Sequence, residues 1–259
     1  MSGGLAGQVA TLARRSATRT LRQPMMLVPS LLFPLLLLAV NTGGLDSATR
    51  LPGFPTNSYL TFALAIAFVQ GALFAANSAG NNMASDVETG FLSRLSLTPM
   101  RRASLLVGQL GGVVVLGLIQ AATFLAAGIA AGAHFEAGVP GALLIVLLSV
   151  LISVAFGALG AFAALRTGSG EAVQGLFPLM FAALFLSSMA LPRDLIETDW
   201  FRTVATWNPV SYMLEGIRSL MITGWDGEAL ALAFGCAGGL ALITLAAASA
   251  ALRTRMTRT

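Results

Sequence analysis

Lysine is missing from this 259-residue chain, and charge of either sign is scarce, with Asp, Glu, Lys and Arg together making up 10%. A phosphate-gripping loop of the form G-x-x-x-x-G-K-[ST] needs its lysine, so ATP hydrolysis by that route is excluded. The lone cysteine, Cys236, has no second cysteine with which to close an internal disulfide. The lone histidine, His134, has no cluster of metal-ligand spacing around it, which leaves it a solvated loop residue. There is no G-x-S-x-G elbow and no Ser-His-Asp set that converges in the sequence. Soluble domains carry about 25% charged residues, so a chain that is 56% hydrophobic with so few charges belongs in a bilayer.

What is present confirms that setting. Charge-free runs cover residues 23–45, 51–85, 103–133, 137–165, 172–192 and 229–252. Each exceeds the roughly 20 residues that cross a hydrocarbon core. A further run, 203–214, is too short to span. The expected fold is therefore an all-α membrane protein of six transmembrane helices in one domain, residues 1–259. If the N-terminus is cytoplasmic, eleven of the fifteen arginines fall on the inner side. Only Arg50, Arg193, Arg202 and Arg218 fall outside, as the positive-inside rule requires. Both termini are then cytoplasmic. This asymmetry also answers the net charge of +4, which marks membrane orientation and not a nucleic-acid partner. Arginine without lysine, among abundant Ala, Gly and Leu, suits a GC-rich bacterial genome and hence a bacterial inner membrane.

The first long run reads as an uncleaved span, since it is longer than a typical apolar signal region and no A-x-A site follows. Pro24 marks a break before it, and Pro29 and Pro34 are expected to bend it. Upstream, residues 1–23 place Leu5, Val9 and Leu12 at helical spacing, with Arg14, Arg15, Arg19 and Arg22 toward the membrane end. This predicts an interfacial helix with its arginines among anionic headgroups.

Two stretches break the pattern of short loops. The external one, residues 191–228, contains "TWNPVSYMLEGIRSLMITGW". Asn208 is placed to cap a helix, Pro209 to open it and Gly224 to close it. An apolar stripe runs through Val210, Met213, Leu214, Ile217, Leu220 and Met221. Glu215 and Arg218 stand three residues apart and are expected to pair. At fifteen or so residues, or about 22 Å, this helix is too short to cross and dips in from outside. With a shorter amphipathic piece upstream it forms an external helical hairpin before the last span. Trp200 and Trp207 are candidate interfacial anchors.

The cytoplasmic stretch, residues 80–104, contains "ETGFLSRLSLTPMRRASLL". Leu92, Leu95 and Leu97 form a small apolar face on a short helix closed by Thr98-Pro99. Such a helix serves either as a surface turn or as a knob for a cytoplasmic partner. The spans carry only neutral polar groups such as Gln70, Asn77, Gln109, Gln120 and Gln174. Ion-coupled transporters often keep a charge there, so coupling to an ion gradient is disfavoured.

The segment "ETGFLSRLSLTPMRRASLLVGQL" resembles the coupling region of type-2 ABC transporter permeases, in particular the daunorubicin-resistance-like exporters. Glu88, Gly90, Leu92, Leu95, Thr98, Pro99 and Arg102 match that pattern, while Phe91 replaces a common small hydroxyl residue and no arginine stands directly beside Glu88. A second match, through Pro192, Trp200, Asn208, Pro209 and Arg218, resembles the family's segment before the last span. The resemblance implies a half-transporter with no ATPase site of its own. A second permease subunit, identical or not, and two cytoplasmic ATP-binding subunits would complete it, with ATP and Mg bound by those partners. The segment 88–99 and the N-terminal helix would carry the mechanical stroke. The cargo would be hydrophobic or amphiphilic: a drug, an antibiotic or a lipid-like molecule. In such exporters the path tends to run between the permeases, which makes Phe68, Gln70, Phe74, Asn77, Phe177, Phe181 and Phe185 candidate lining. From the residues alone, a non-transporting scaffold or sensor that recruits a cytoplasmic partner remains the alternative.

Overall fold

The structure is a computed structural model, and it describes residues 5–96 and 102–256. All regular structure among the described residues is helical. The order is α1 (Leu5–Leu21), α2 (Pro24–Leu45), α3 (Tyr59–Glu88), α4 (Phe91–Ser96), α5 (Arg102–Ala130), α6 (Gly138–Thr167), α7 (Gly170–Phe185), α8 (Asp199–Trp207), α9 (Pro209–Ile222) and α10 (Gly227–Met256), with short 3-10 turns at Asp46–Arg50 and Arg193–Leu195.

Among the described residues, five helices are long and apolar enough to cross a membrane: α2, α3, α5, α6 and α10. The fifth charge-free run behaves differently. Its helix, α7, has 16 residues, about 24 Å at 1.5 Å per residue, and residues 186–192 leave it as irregular backbone. Ser187 and Ser188 are buried in that strap, where side-chain hydroxyls and an arginine serve the backbone groups that helix no longer serves.

Helix α3 is the axis of the bundle. Of its most apolar window 89% is buried inside the protein, against 17% for α2. Small side chains make that possible, because without bulk at the contact two backbones can approach closely. Between α3 and α6 the approach is tightest, with Gly160 lying directly against the Ala76 carbonyl. Gly80 faces the Gly160 carbonyl, and a side chain there would also run into Val173 of α7. Elsewhere along α3 and α6, Phe62, Leu64, Leu73, Ile145, Leu148 and Ile152 are fully buried.

Helix α1 does not lie free on a surface. It packs along the start of α5, whose Gly108, Gly111 and Gly112 take up Leu12, Ala13, Ser16 and Thr20. The Ser16 hydroxyl donates to the Gln109 carbonyl at 2.7 Å. Pro24 opens α2 with Gln23 as its cap, so the expected break falls between α1 and α2. Helices α2, α3, α5, α6 and α7 then alternate in direction, and the described ends of α1 and α10 share one end of the bundle.

Replacing Gly160 with valine would force α3 and α6 apart, an overpacking cost of about 1–3 kcal/mol. Gly235 has open space around its Cα, so Gly235→Val is the matched control. A fall in the thermal unfolding midpoint of the detergent-solubilised chain is expected for the first variant and none beyond a helix-propensity effect for the second.

Candidate functional site

Three regions gather the residues that the sequence singles out. The first is built around a residue it did not single out, Asp86. This carboxylate lies in the last turn of α3 and is 4% exposed. Arg15 reaches it through two nitrogens at 3.1 and 3.4 Å, Arg19 at 3.0 Å and the Gln109 amide at 3.1 Å. Two guanidinium groups and an amide are what a buried carboxylate needs to offset lost hydration. Asp86 thereby fastens α1 and α5 to α3. Arg19 also donates to the Asn82 carbonyl, and the Arg15 guanidinium sits 4.0 Å over the Phe91 ring at the start of α4. Phe91, the departure from the family pattern, is therefore the contact that joins α4 to α1.

These contacts correct two expectations. Arg15 and Arg19 turn inward to Asp86, because a buried anion attracts them more strongly than screened headgroups do. Arg14 and Arg22 are exposed and make no ion pair among the described residues, and Arg15 keeps part of its side chain in the open while it reaches Asp86. Leu92 does not offer an apolar face to a partner. It is 8% exposed and packs in a cluster with Met83, Leu105 and Leu252. Gly90, with φ +66, makes the left-handed turn from α3 into α4, and Glu88 beside it is exposed. Thr98 and Pro99, and the side chains of Leu95 and Arg102, lie outside the described residues. In sequence, Asp86 could have been found as a carboxylate following Asn81 and Asn82 at the end of an apolar helix, a costly placement that demands a partner.

The second region is an aromatic ladder between α2, α3 and α7. Phe177 and Phe181 lie 4.9 Å apart, Phe74 and Phe177 5.3 Å, Phe33 and Phe74 5.8 Å, and Phe181 and Phe185 6.4 Å. Phe33, which also meets Phe181 at 6.0 Å, belongs to this ladder although sequence reasoning omitted it. Phe68 does not belong. It is buried on another face of α3, edge-on to Phe124 of α5 at 5.7 Å. Gln70 is buried with its Oε1 unpartnered among described residues. Asn77 accepts from Asn81 at 2.9 Å within α3.

The third region is at the other end of the bundle. Asn208 accepts from the Val210 amide at 3.0 Å and donates to the Ala183 carbonyl at 2.6 Å, so the cap of α9 also holds the end of α7. Pro209 occupies the first helical position, and Gly224, with φ +88, closes the helix through its bond to the Ser219 carbonyl. The expected Glu215–Arg218 pair is absent. Glu215 instead accepts from Arg193 at 2.6 Å and from the Ser188 hydroxyl at 3.1 Å. Arg218 is fully enclosed and donates to the carbonyls of Phe62, Ser188 and Met189 at 3.1, 2.6 and 2.6 Å. It lies flat on the Phe62 ring, 3.5 Å from its centroid. The strap after α7 exposes carbonyls that no helix satisfies, and these outbid a carboxylate three residues away. A guanidinium stays protonated even when buried, so Arg218 is held as a cation by its three carbonyls. Trp200 and Trp207 stand exposed on α8.

The fold and these sites define a multi-pass helical membrane protein whose polar connections gather at its two ends, with no group of His, Cys, Asp and Glu fit for a metal among the described residues. Residues 7–222 match the model of the ABC-2 type transporter family, and the chain belongs to that family. Among curated proteins it is 27% identical over 207 residues to the daunorubicin resistance ABC transporter permease protein DrrB1 of Streptomyces coeruleorubidus. That match covers 76% of this chain and 69% of the relative. It is 26% identical over 135 residues to the probable doxorubicin resistance ABC transporter permease protein DrrC of Mycobacterium tuberculosis. There the match covers 52% of this chain and 49% of the relative, so the chain spans about half the length of that protein.

Asp86→Asn removes the charge that holds Arg15 and Arg19. Both arginines are partly exposed, so the loss is discounted to about 1.4 kcal/mol, or tenfold in the population with α1 released. Trypsin cleavage after Arg14, Arg15 and Arg19 is expected to accelerate about tenfold. Arg218→Lys keeps the charge but not the three-carbonyl fork. It is expected to destabilise the chain by about 3 kcal/mol, two charged hydrogen bonds' worth, read by thermal unfolding.

Proposed function

We propose that the chain is the permease subunit of an ATP-driven exporter of a hydrophobic or amphiphilic compound. Two such subunits, identical or paired with a relative, would each rest on a separate ATP-binding subunit that binds ATP and Mg. The observation that carries the reading is the joint at Asp86. In a member of the ABC-2 type transporter family, it ties the short helix α4 and the N-terminal helix α1 to the central helix α3 by charge and cation–π contact. Any push on α4 from a cytoplasmic partner would reach α3 through that joint. The arginine asymmetry supports an orientation with this end and both termini in the cytoplasm of a bacterial inner membrane.

In this reading there are six spans. The sixth is α7, whose shortness is made up by the strap at 186–192 and by α9, which packs against α10, α3 and α6 and fills the outer half of the layer. The ladder of Phe33, Phe74, Phe177, Phe181 and Phe185 supports a path along α2, α3 and α7, with Phe68 on a separate face. Both relatives carry drug-resistance names, which supports a cargo that is itself apolar or amphiphilic. The segment 88–102 docks the ATPase, with Leu92 buried in the permease and Glu88 exposed.

Purification of the tagged chain from its host in mild detergent, followed by mass spectrometry of what accompanies it, tests the assembly. A nucleotide-binding subunit in equal amount is the expected result. A chain that emerges without one under several gentle conditions would overturn the reading and favour a scaffold. Leu95→Asp is expected to abolish ATPase association while leaving the chain inserted in the membrane. Association and transport at the normal level would remove α4 from the coupling role.

A further inference from the structure

The end of the bundle opposite Asp86 holds a cavity of about 690 Å³ between α8, α9, the start of α10 and the residues near Pro55. Its charged lining sorts into occupied and unoccupied groups. Arg193 and Glu215 hold each other. Arg218 is committed to its three carbonyls. Asp226 accepts from the Glu228 and Ala229 amides and so caps α10.

Three groups are left. Arg202 uses only its Nε, on the Ile196 carbonyl at 2.7 Å, so both of its terminal nitrogens remain available among the described residues. Asp194 and Glu228 form no ion pair with any described residue. One guanidinium fork and two carboxylates in a half-open cavity are the complement of a molecule bearing one anion and one ammonium group. The rim is apolar on the bundle side. Leu232, 42% exposed on a helix long enough to cross the membrane, lines the cavity, and Trp200, Trp207 and Trp225 stand exposed on the segments that carry its lining residues Arg202, Thr206 and Asp226. Tryptophans at this level belong to the interface between headgroups and water.

We infer that this cavity binds the zwitterionic phosphate-and-amine headgroup of an amphiphile, with the phosphate on Arg202, the ammonium between Asp194 and Glu228, and the chains leaving past Leu232 into the adjoining leaflet. The volume is sufficient for a headgroup with its glycerol and ester region. The site is a property of this chain alone and does not depend on ATP-driven export, so its failure and the failure of that reading are separate outcomes.

Native mass spectrometry of the purified chain tests it, with dioleoylphosphatidylethanolamine, dioleoylphosphatidylglycerol and dioleoylglycerol offered at equal concentration. The wild-type chain is expected to retain the ethanolamine lipid about tenfold more than either of the others. Arg202→Gln is expected to lose that preference against dioleoylglycerol. The double variant Asp194→Asn, Glu228→Gln is expected to lose it against phosphatidylglycerol, which keeps the phosphate and lacks the amine. Asp46→Asn, outside the cavity lining, should leave the spectrum unchanged and guards against effects of purification. Equal retention of the three lipids by the wild-type chain, or an unchanged preference in folded variants, would overturn the site. Dodecylphosphocholine then separates the sources. Displacement of the bound lipid assigns the site to any zwitterionic amphiphile, cargo included, and persistence of the lipid assigns it to a two-chain bilayer component.

Discussion

The contact on which the bundle turns is the close approach of α3 and α6, where Gly160 meets the Ala76 carbonyl and Gly80 meets the Gly160 carbonyl. In lipid the hydrophobic effect gives helices no reason to associate, since hydrocarbon tails are as apolar as leucine, so association rests on close packing. Two helices held at that distance leave α3 enclosed by protein. Once α3 is enclosed, α2, α7 and α9 pack on it and α10 packs on α6 and α9.

An enclosed helix can carry polar groups at its ends that a lipid-facing one cannot. Asp86 and the Phe62 carbonyl sit near opposite ends of α3, and each is held by arginine. The two arrangements differ in chemistry. Asp86 is an anion shared by two cations that keep one side in water, which suits a contact that other forces can open. Arg218 is a single buried cation with each guanidinium nitrogen placed on a backbone carbonyl, and breaking it would leave a buried charge without its partners. The first behaves as a joint and the second as a rivet.

Much of this was legible in the residues. Five of the six charge-free runs place the long helices, because apolar stretches of that length are what a bilayer selects; the run 172–192 does not, since α7 stops at Phe185. The caps Asn208, Pro209 and Gly224 were readable because cap chemistry is local. What was not legible is what depends on partners far apart in sequence. Arg218 and Glu215 have ideal spacing for a pair, yet carbonyls 29 and 30 residues away, exposed by the irregular strap after α7, decide where the arginine goes. Leu92 has the spacing of a docking face, but the ends of α5, α6 and α10 close over it. Phe33 was missed because a phenylalanine among leucines and prolines carries no sequence signal, whereas its ring contacts do. Asp86 stands just past the charge-free run 51–85, a position visible in sequence while its partners on α1 and α5 are not.

A residue that ends a span and one that organises a joint look alike in sequence, and the difference lies in burial. Were Asp86 only a boundary residue, water would reach it and single arginines would suffice. At 4% exposure it is removed from water, and a buried carboxylate without partners is not stable as an anion. Arg15, Arg19 and Gln109 are therefore not decoration on an interfacial helix but the partners that replace the hydration Asp86 has lost. Helix α1 is consequently part of the bundle, with its glycine-lined seat on α5 fixing where it lies and Asp86 fixing how it is turned. A 30-residue α3, about 45 Å long, is held by arginine near both ends, so a displacement of α1 or α4 would be passed to it as a unit, because close-packed interiors do not deform gradually.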